Sequence, residues 1–186
     1  MFLDITDRNC LVIGGGQVAL RKIKRLLKYQ ADITVLSPEI IPGINKLLSP
    51  EDIIQEKYQK KYCQESYLIF AATNKEDINK KIARDAREKG IPVNVADNLK
   101  ECDFIVPSVV KNGDLQIAIS SGGKSPALSR KIRQDIENRY NNDYESKTEL
   151  LGELREIIKE EIQEENKRRV IFNKMAELAQ MKEGKN

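Results

Sequence analysis

The chain has 186 residues, 40% hydrophobic and 33% charged, with 32 Lys and Arg against 29 Asp and Glu for a formal net charge of +3. That length buries one core plus a small appendage, the small mixed charge argues against a protein held to nucleic acid by phosphate contacts, and no apolar run approaches bilayer length. There is no histidine, which excludes histidine triads, histidine-ligated zinc and histidine acid–base catalysis, and the three scattered cysteines read as reduced thiols.

The first residues carry Asp4, Asp7 and Arg8 where a signal peptide would be apolar, so the expectation is a cytoplasmic protein with no membrane partner. Cys10–Ile13 reads as a buried strand broken by Gly14-Gly15-Gly16. A helix follows with Ala19, Ile23 and Leu26/Leu27 on its apolar face and Arg21, Lys22, Lys24, Arg25 and Lys28 on the other. Ile33–Leu36 is a second strand stopped by Ser37-Pro38, Asp52–Gln55 a weak third and Tyr67–Ala72 a fourth. Ile78, Ile82 and Ala86 mark an amphipathic helix ending at Gly90, and Pro92–Ala96 gives a fifth strand. Strands alternating with helices imply an α/β fold, a Rossmann-type parallel sheet over residues 1–103.

The grammar then changes. Phe104–Val106 and Val109-Val110 lead into Asn112-Gly113, after which Leu115, Ile117 and Ile119 alternate, which predicts a β-hairpin whose two turn positions take positive φ. Ser125 as cap and Pro126 as first residue open a helix repeating Leu128, Ile132, Ile136 and Tyr140. Asn141-Asn142-Asp143 breaks it. Two further helices carry Leu150, Leu154, Ile157/Ile158 and Ile162, then Ile171, Met175 and Leu178, before a frayed end at Glu183–Asn186. The expected parts are therefore 1–103, a hairpin-plus-helix region 104–143 and an α-helical C-terminal region 144–186.

Gly14-Gly15-Gly16-Gln17-Val18-Ala19 fits the G-x-G-x-x-G/A fingerprint and closes a strand before a helix, the context it requires. Gly14 allows the tight turn, Gly16 removes the Cβ that would block a pyrophosphate, and Ala19 lets the helix lie close to the strand. The phosphates then rest on free amides at the helix's positive end. The bland alternative is a tight turn without ligand. At the end of the second strand, where an acidic residue usually meets the ribose hydroxyl, stand Ser37 and Pro38, with Glu39 slightly late. The lack of an Arg there favours NAD over NADP.

These words, with Arg21-Lys22, Ala31-Asp32-Ile33-Thr34-Val35, Ala71-Ala72-Thr73-Asn74 with Asn79, Val93-Asn94-Val95-Ala96-Asp97, Cys102–Pro107 and Ile119–Pro126, run in register along the chain. They resemble the precorrin-2 dehydrogenase / sirohydrochlorin ferrochelatase family, of the siroheme synthase N-terminal type, over about residues 1–140. The resemblance implies a homodimer, joined through the hairpin region, that oxidises the tetrapyrrole precorrin-2 to sirohydrochlorin with NAD as hydride acceptor. Some members also insert ferrous iron, which leaves that substrate open here.

Asp97 lies just past the fifth strand, where ligands of open parallel sheets bind. It resembles the family's essential aspartate, a base for the protons that leave with a hydride and, in a chelatase, a transient metal ligand. Its alternative is a turn cap with Asn98. Asn94 lines the site or satisfies backbone groups, and Thr73 and Asn74 sit at the end of the fourth strand, where Asn74 approaches the nicotinamide ribose or caps a helix. Ser120–Ser125 contains Gly-Lys-Ser but fails as a Walker A loop, since Ala118 stands where its first glycine belongs and the preceding strand is part of a hairpin. It reads instead as an anion nest in which Ser121, Gly122, Gly123 and Lys124 meet the substrate's carboxylate arms, or as a hinge. The charged runs at Arg21–Lys28, around Arg130, Lys131 and Arg133 and at Lys167-Arg168-Arg169 read either as solvated faces or, for a few residues, as partners of substrate carboxylates. A reading from a different class is a non-catalytic NAD-sensing module, since a fold alone never fixes function.

Overall fold

A computed structural model describes residues 2–140 and 143–180, so the expected break at Asn141-Asn142 and the frayed end lie outside the described residues. The chain divides into two compact units, 1–105 and 106–186. The first division falls two residues after the expected one. A second, at 143/144, does not separate compact units, because the helix that starts there packs against the hairpin that precedes it.

In the first unit, β1 (Asn9–Ile13), β2 (Asp32–Leu36), β3 (Ile53–Ile54), β4 (Leu68–Ala71) and β5 (Val93–Val95) form one sheet in the order β3-β2-β1-β4-β5. Every pairing is parallel. The chain builds outward from β1 through β2 to β3, then returns to β1's other side for β4 and β5, so the order reverses between β1 and β4. A crevice opens at such a switch point, at the carboxyl ends of the strands.

Strand side chains alternate between faces. Leu11, Ile13, Leu36, Ile69, Ala71, Val93 and Val95 form one core with Ile82, Ala83 and Ala86 of helix α3 (Glu76–Glu88). Helix α1 (Gln17–Leu27) buries Ala19, Ile23 and Leu26 against β1 and β2. Leu27, expected beside Leu26, closes the helix and is 37% exposed. Gly90 at φ +70° ends α3 as expected, with the Ile91 amide returning to the Ala86 carbonyl at 3.0 Å. The third strand is shorter than expected. A short helix α2 (Pro42–Asn45) and a 3-10 turn at Pro50–Asp52 precede it, and Asp52 is drawn into that turn by accepting from the Ser49 amide at 3.3 Å.

In the second unit β6 (Ser108–Asn112) and β7 (Leu115–Ile119) pair antiparallel, with Asn112 opposite Leu115. That register makes Gly113 and Asp114 the turn residues. Gly113 alone of the pair is at positive φ (+57°), as in a type II′ hairpin, so Asn112 ends a strand where both turn positions were expected to be left-handed. Phe104–Val106 forms no strand. Helix α4 (Pro126–Arg139) starts as expected, the Ser125 hydroxyl accepting from the Leu128 amide at 3.3 Å. Helices α5 (Asp143–Glu161) and α6 (Glu165–Gln180) pair with each other, with Lys147 Nζ donating to the Ala179 carbonyl at 3.0 Å and Arg155 over the Phe172 ring at 4.8 Å. Among the described residues of this unit only Val110 and Ser129 are buried, and Leu128 and Ile132 of the repeat on α4 are 54% and 38% exposed.

One polar cluster lies inside the first unit. The Tyr58 hydroxyl donates to Asp85 on α3 at 3.0 Å and lies 3.0 Å from the Cys63 sulfur, while Asp85 is 3% exposed. Burial pushes the phenol's pKa far above its ordinary value. Replacing Tyr58 by Phe removes a donor from a buried carboxylate, so the variant loses about 1–3 kcal/mol of unfolding free energy in urea titration.

Candidate active site

The glycine turn is a place where backbone meets backbone. Gly14, at φ +132°, donates its amide to the Leu36 carbonyl at 2.9 Å, and a Cβ on it would lie 2.3 Å from the Ala72 carbonyl oxygen at the end of β4. A Cβ on Gly15 would lie 1.8 Å from the Glu39 carbonyl oxygen, and the Gly15 carbonyl accepts from the Ile41 amide at 3.0 Å. Gly16 differs: a Cβ there meets nothing within 4 Å. Its position opens outward at the start of α1, where no side chain caps the first amides and no acidic residue stands in the first turn. Gln17 is exposed, Val18 half-buried and Ala19 fully buried. The turn therefore presents free amides, a positive helix end and an open position above them, the donor set an anionic diphosphate needs. Sequence reasoning gave roles to Gly14 and Gly16. Gly15 has one too, set by the 37–39 loop folding back across it.

In that loop the Ser37 hydroxyl is turned inward, donating to the Glu39 carbonyl at 2.8 Å, while Pro38 and Glu39 are exposed. Thr73 follows β4 beside Gly14, its amide 3.2 Å from the position of a Gly14 Cβ. Asn79 fixes it: the Asn79 Oδ1 accepts from the Thr73 amide at 3.2 Å and its hydroxyl at 2.7 Å, and Nδ2 donates to the Thr73 carbonyl at 3.1 Å. Asn74 is exposed and caps nothing, since the residue at the N-cap of α3 is Lys75, without a side-chain bond.

Past β5, Asp97 is exposed at φ +58°, a left-handed conformation that Asp tolerates, and its carboxylate accepts no hydrogen bond from the described residues. The turn that carries it is latched from both sides. Cys102 Sγ accepts from the Val95 amide at 3.2 Å and lies 3.2 Å from the Val95 carbonyl and 3.3 Å from the Asn98 carbonyl, one of which takes its proton. Asn94, 8% exposed, donates to the Phe104 carbonyl at 2.9 Å and contacts Cys102 Sγ at 3.6 Å, so its amide group does satisfy backbone.

The residue that sequence reasoning misplaced is Lys22. It was expected on the solvated face of α1 with Arg21, Lys24, Arg25 and Lys28, which are exposed. Instead it is half-buried, its ammonium donating to Asn94 Oδ1 at 2.6 Å and lying 5.3 Å from the centre of the Phe70 ring. Burial holds its pKa below the ordinary lysine value, with Asp97 and Cys102 pulling the other way. The signal was in the spacing. Lys22 is three residues after Ala19 and four before Leu26, on the flank of the buried stripe.

The 120–125 loop, in the second unit, is not the open nest that was expected. Ser120 Oγ accepts from the Gly122 amide at 3.1 Å, Ser121 Oγ from the Ser125 amide at 3.0 Å, and the Ser121 carbonyl from the Lys124 amide at 3.1 Å. The Gly122, Lys124 and Ser125 amides are thus bonded internally, leaving the Gly123 amide, the serine hydroxyl protons and the exposed Lys124 ammonium as donors. Gly122 and Gly123, at φ +61° and +77°, allow the fold-back. The basic runs are largely neutralised locally, by Lys131 with Asp135 at 3.3 Å, Arg133 with Glu137, and Lys167 with Glu164 at 2.7 Å. Arg168 closes the end of α5 by donating to the Ile162 and Gln163 carbonyls at 2.8 and 2.9 Å.

Residues 1–108 match the family model described as "Putative NAD(P)-binding", and residues 112–139 match one described as "Sirohaem biosynthesis protein central". The chain is 36% identical over 178 residues to a siroheme synthase of Nitrosomonas europaea, covering 94% of this chain and 38% of that protein. With a siroheme synthase of Psychrobacter cryohalolentis it shares 42% over 164 residues, 87% of this chain and 31% of that one. The chain thus spans between 31% and 38% of the length of these relatives. Among solved structures, the precorrin-2 dehydrogenase SirC superposes with a TM-score of 0.75 at 28% identity, covering 94% of this chain and 87% of that one.

The three glycines separate by experiment. Gly15→Ala collides with the Glu39 carbonyl and is expected to lower the unfolding free energy by at least about 1–3 kcal/mol. Gly16→Ala collides with nothing, so its melting temperature stays at the wild-type value while its affinity for NAD in calorimetric titration falls roughly tenfold or more.

Proposed function

The chain belongs to the NAD(P)-binding family of siroheme synthesis, and from that premise we propose that it oxidises precorrin-2 to sirohydrochlorin with NAD as the hydride acceptor. The observation that carries the proposal is the open position at Gly16, above the uncapped amides of α1, on the same strand-end edge of the sheet as the exposed Asp97. In this reading Gly14, Gly15, Gly16, Gln17 and Val18 hold the pyrophosphate by backbone amides. Ser37, Pro38 and Glu39 flank the adenosine ribose, with the Glu39 carboxylate as acceptor for a ribose hydroxyl. Thr73, fixed by Asn79, and Asn74 flank the nicotinamide side.

The bound dinucleotide supplies a two-electron acceptor that takes hydride from the macrocycle. The substrate must also release a proton, and Asp97 is the base that takes it and returns it to water. A carboxylate with no hydrogen bond from the protein's described residues is free for that task. Asn94 holds the strand behind it. Ser121, Gly122, Gly123 and Lys124 meet the acetate and propionate arms, now through hydroxyls and an ammonium more than through backbone amides. If ferrous iron is a second substrate, Asp97 accepts the pyrrole protons or holds the metal in passing.

The reading extends to a cytoplasmic homodimer. No helix of the described residues is long and apolar enough to cross a membrane. The free thiols Cys10, Cys63 and Cys102 suit a reducing compartment, and the exposed Leu128 and Ile132 of α4 support a second copy as their cover.

Purified protein given precorrin-2 and NAD is expected to release sirohydrochlorin and NADH, faster than with NADP in a parallel assay. Asp97→Asn lowers kcat by about 10²- to 10⁴-fold with unchanged affinity for NAD. Undiminished turnover in that variant would remove Asp97 from the chemistry. Anaerobic iron insertion into supplied sirohydrochlorin without NAD measures the chelatase separately.

A further inference from the structure

We infer that Lys22 is a positioning residue that ties the nucleotide-binding helix to the turn carrying Asp97. The connection runs through named atoms. Lys22 Nζ donates to Asn94 Oδ1 at 2.6 Å, Asn94 Nδ2 reaches the Phe104 carbonyl at 2.9 Å and Cys102 Sγ at 3.6 Å, and Cys102 Sγ joins the Val95 amide at 3.2 Å to the Asn98 carbonyl at 3.3 Å. Val95 and Asn98 bracket Asp97. The carboxylate itself is exposed and sits at φ +58°, so its placement depends on the backbone on either side being held.

Three facts separate Lys22 from a lysine that merely covers apolar surface. Its head group does not snorkel out, as Lys on a helix flank normally does, but is directed to an amide oxygen and an aromatic face. No carboxylate of the described residues lies within ion-pair distance of it, so its charge is only partly compensated. It grows from the same helix whose first amides form the dinucleotide cradle, five residues after the helix begins at Gln17. A helix start fixed on a pyrophosphate thus holds the strand-end carboxylate in register with it. The titratable groups that act on the ammonium are Arg21 and Arg25 on its own helix and Asp97 and Cys102 after β5, while β4 contributes the Phe70 ring.

The inference rests on the proposed dehydrogenase reading for its catalytic consequence, and its structural half can be measured without turnover. Cys102 is the half-exposed thiol, Cys10 and Cys63 being fully buried, so the rate at which native protein reacts with an aromatic disulfide reads the latch. In Lys22→Met and Lys22→Gln that rate rises severalfold, NAD affinity stays within about twofold of wild type, and kcat falls by about 10- to 100-fold, as small misplacements of a reacting group do. The loss falls on kcat and leaves the KM for NAD unchanged, and Lys22→Arg, which keeps a donor for Asn94, restores both the thiol rate and kcat toward wild type. A lysine that only packed against Phe70 would be replaced by Met with no loss of kcat. Wild-type thiol reactivity in both neutral variants overturns the inference. So does a lowered kcat that Lys22→Arg does not restore. If Lys22→Met loses NAD binding through misfolding, Lys22→Gln carries the same measurements. If wild-type protein turns over no precorrin-2, the dehydrogenase reading fails while the thiol measurement still decides the latch.

Discussion

The arrangement depends on one close approach. The backbone of Gly14 and Gly15 is pressed between the end of β4 and the loop that follows β2, so closely that a methyl group on either would enter a carbonyl oxygen. Two consequences follow from this one constraint. The turn has no room to move inward, so α1 starts at Gln17 with its first amides uncapped beside the open position at Gly16. The loop after β2 must likewise fold back across Gly15, which brings Glu39 over the turn in place of the residue that directly ends the strand. The unusual spacing of the acidic residue and the extra glycine between the two fingerprint glycines are therefore one structural fact. A backbone that crosses at Gly15 needs both.

Residues 106–186 are built on a different principle. A two-stranded hairpin alone is marginal in water, and this one has few buried side chains behind it. Its order comes from directional contacts. Asn112 donates to the Tyr140 carbonyl, Gly113 lies against the Glu145 backbone closely enough that a Cβ would come within 3.0 Å of its Cα, and Ser125 caps α4. The loop at 120–125 follows the same logic, since its serines close its own amides into a fixed turn. Rigidity obtained that way leaves the hydroxyl protons and Lys124 facing outward.

Much of this was legible in the sequence, and the misses have physical causes. The parallel sheet was readable because its strands are short apolar runs, the first closed by Gly14 and the second by Ser37-Pro38, and the helices because their apolar positions recur at helical spacing. The glycine turn was readable from its context between strand and helix. The third strand was overestimated because Asp52 accepts a backbone hydrogen bond from Ser49 and so joins a 3-10 turn. The hairpin turn was shifted by one residue because Asn-Gly marks the turn without fixing which of the pair enters it, a matter decided by the pairing of Asn112 with Leu115. The nest was overestimated because a serine hydroxyl near a free amide can close on it as readily as a ligand can.

Lys22 is the instructive miss. A charged residue in a basic run reads as solvated by default, and only its spacing from Ala19 and Leu26 argues otherwise. Burial alone gives no reason for an ammonium there. It lowers the lysine's pKa in the folded chain, so the folded state binds that proton more weakly than the unfolded state does. The resulting penalty is present below the folded value and is relieved as pH rises from it toward the unfolded one. A Met of similar reach would fill the same space beside Phe70 without that penalty. What Met lacks is a donor for Asn94. A side chain whose charge burial disfavours, yet which is held by a 2.6 Å hydrogen bond at the edge where the strands end, is better accounted for by the chemistry of that edge than by the packing beneath it.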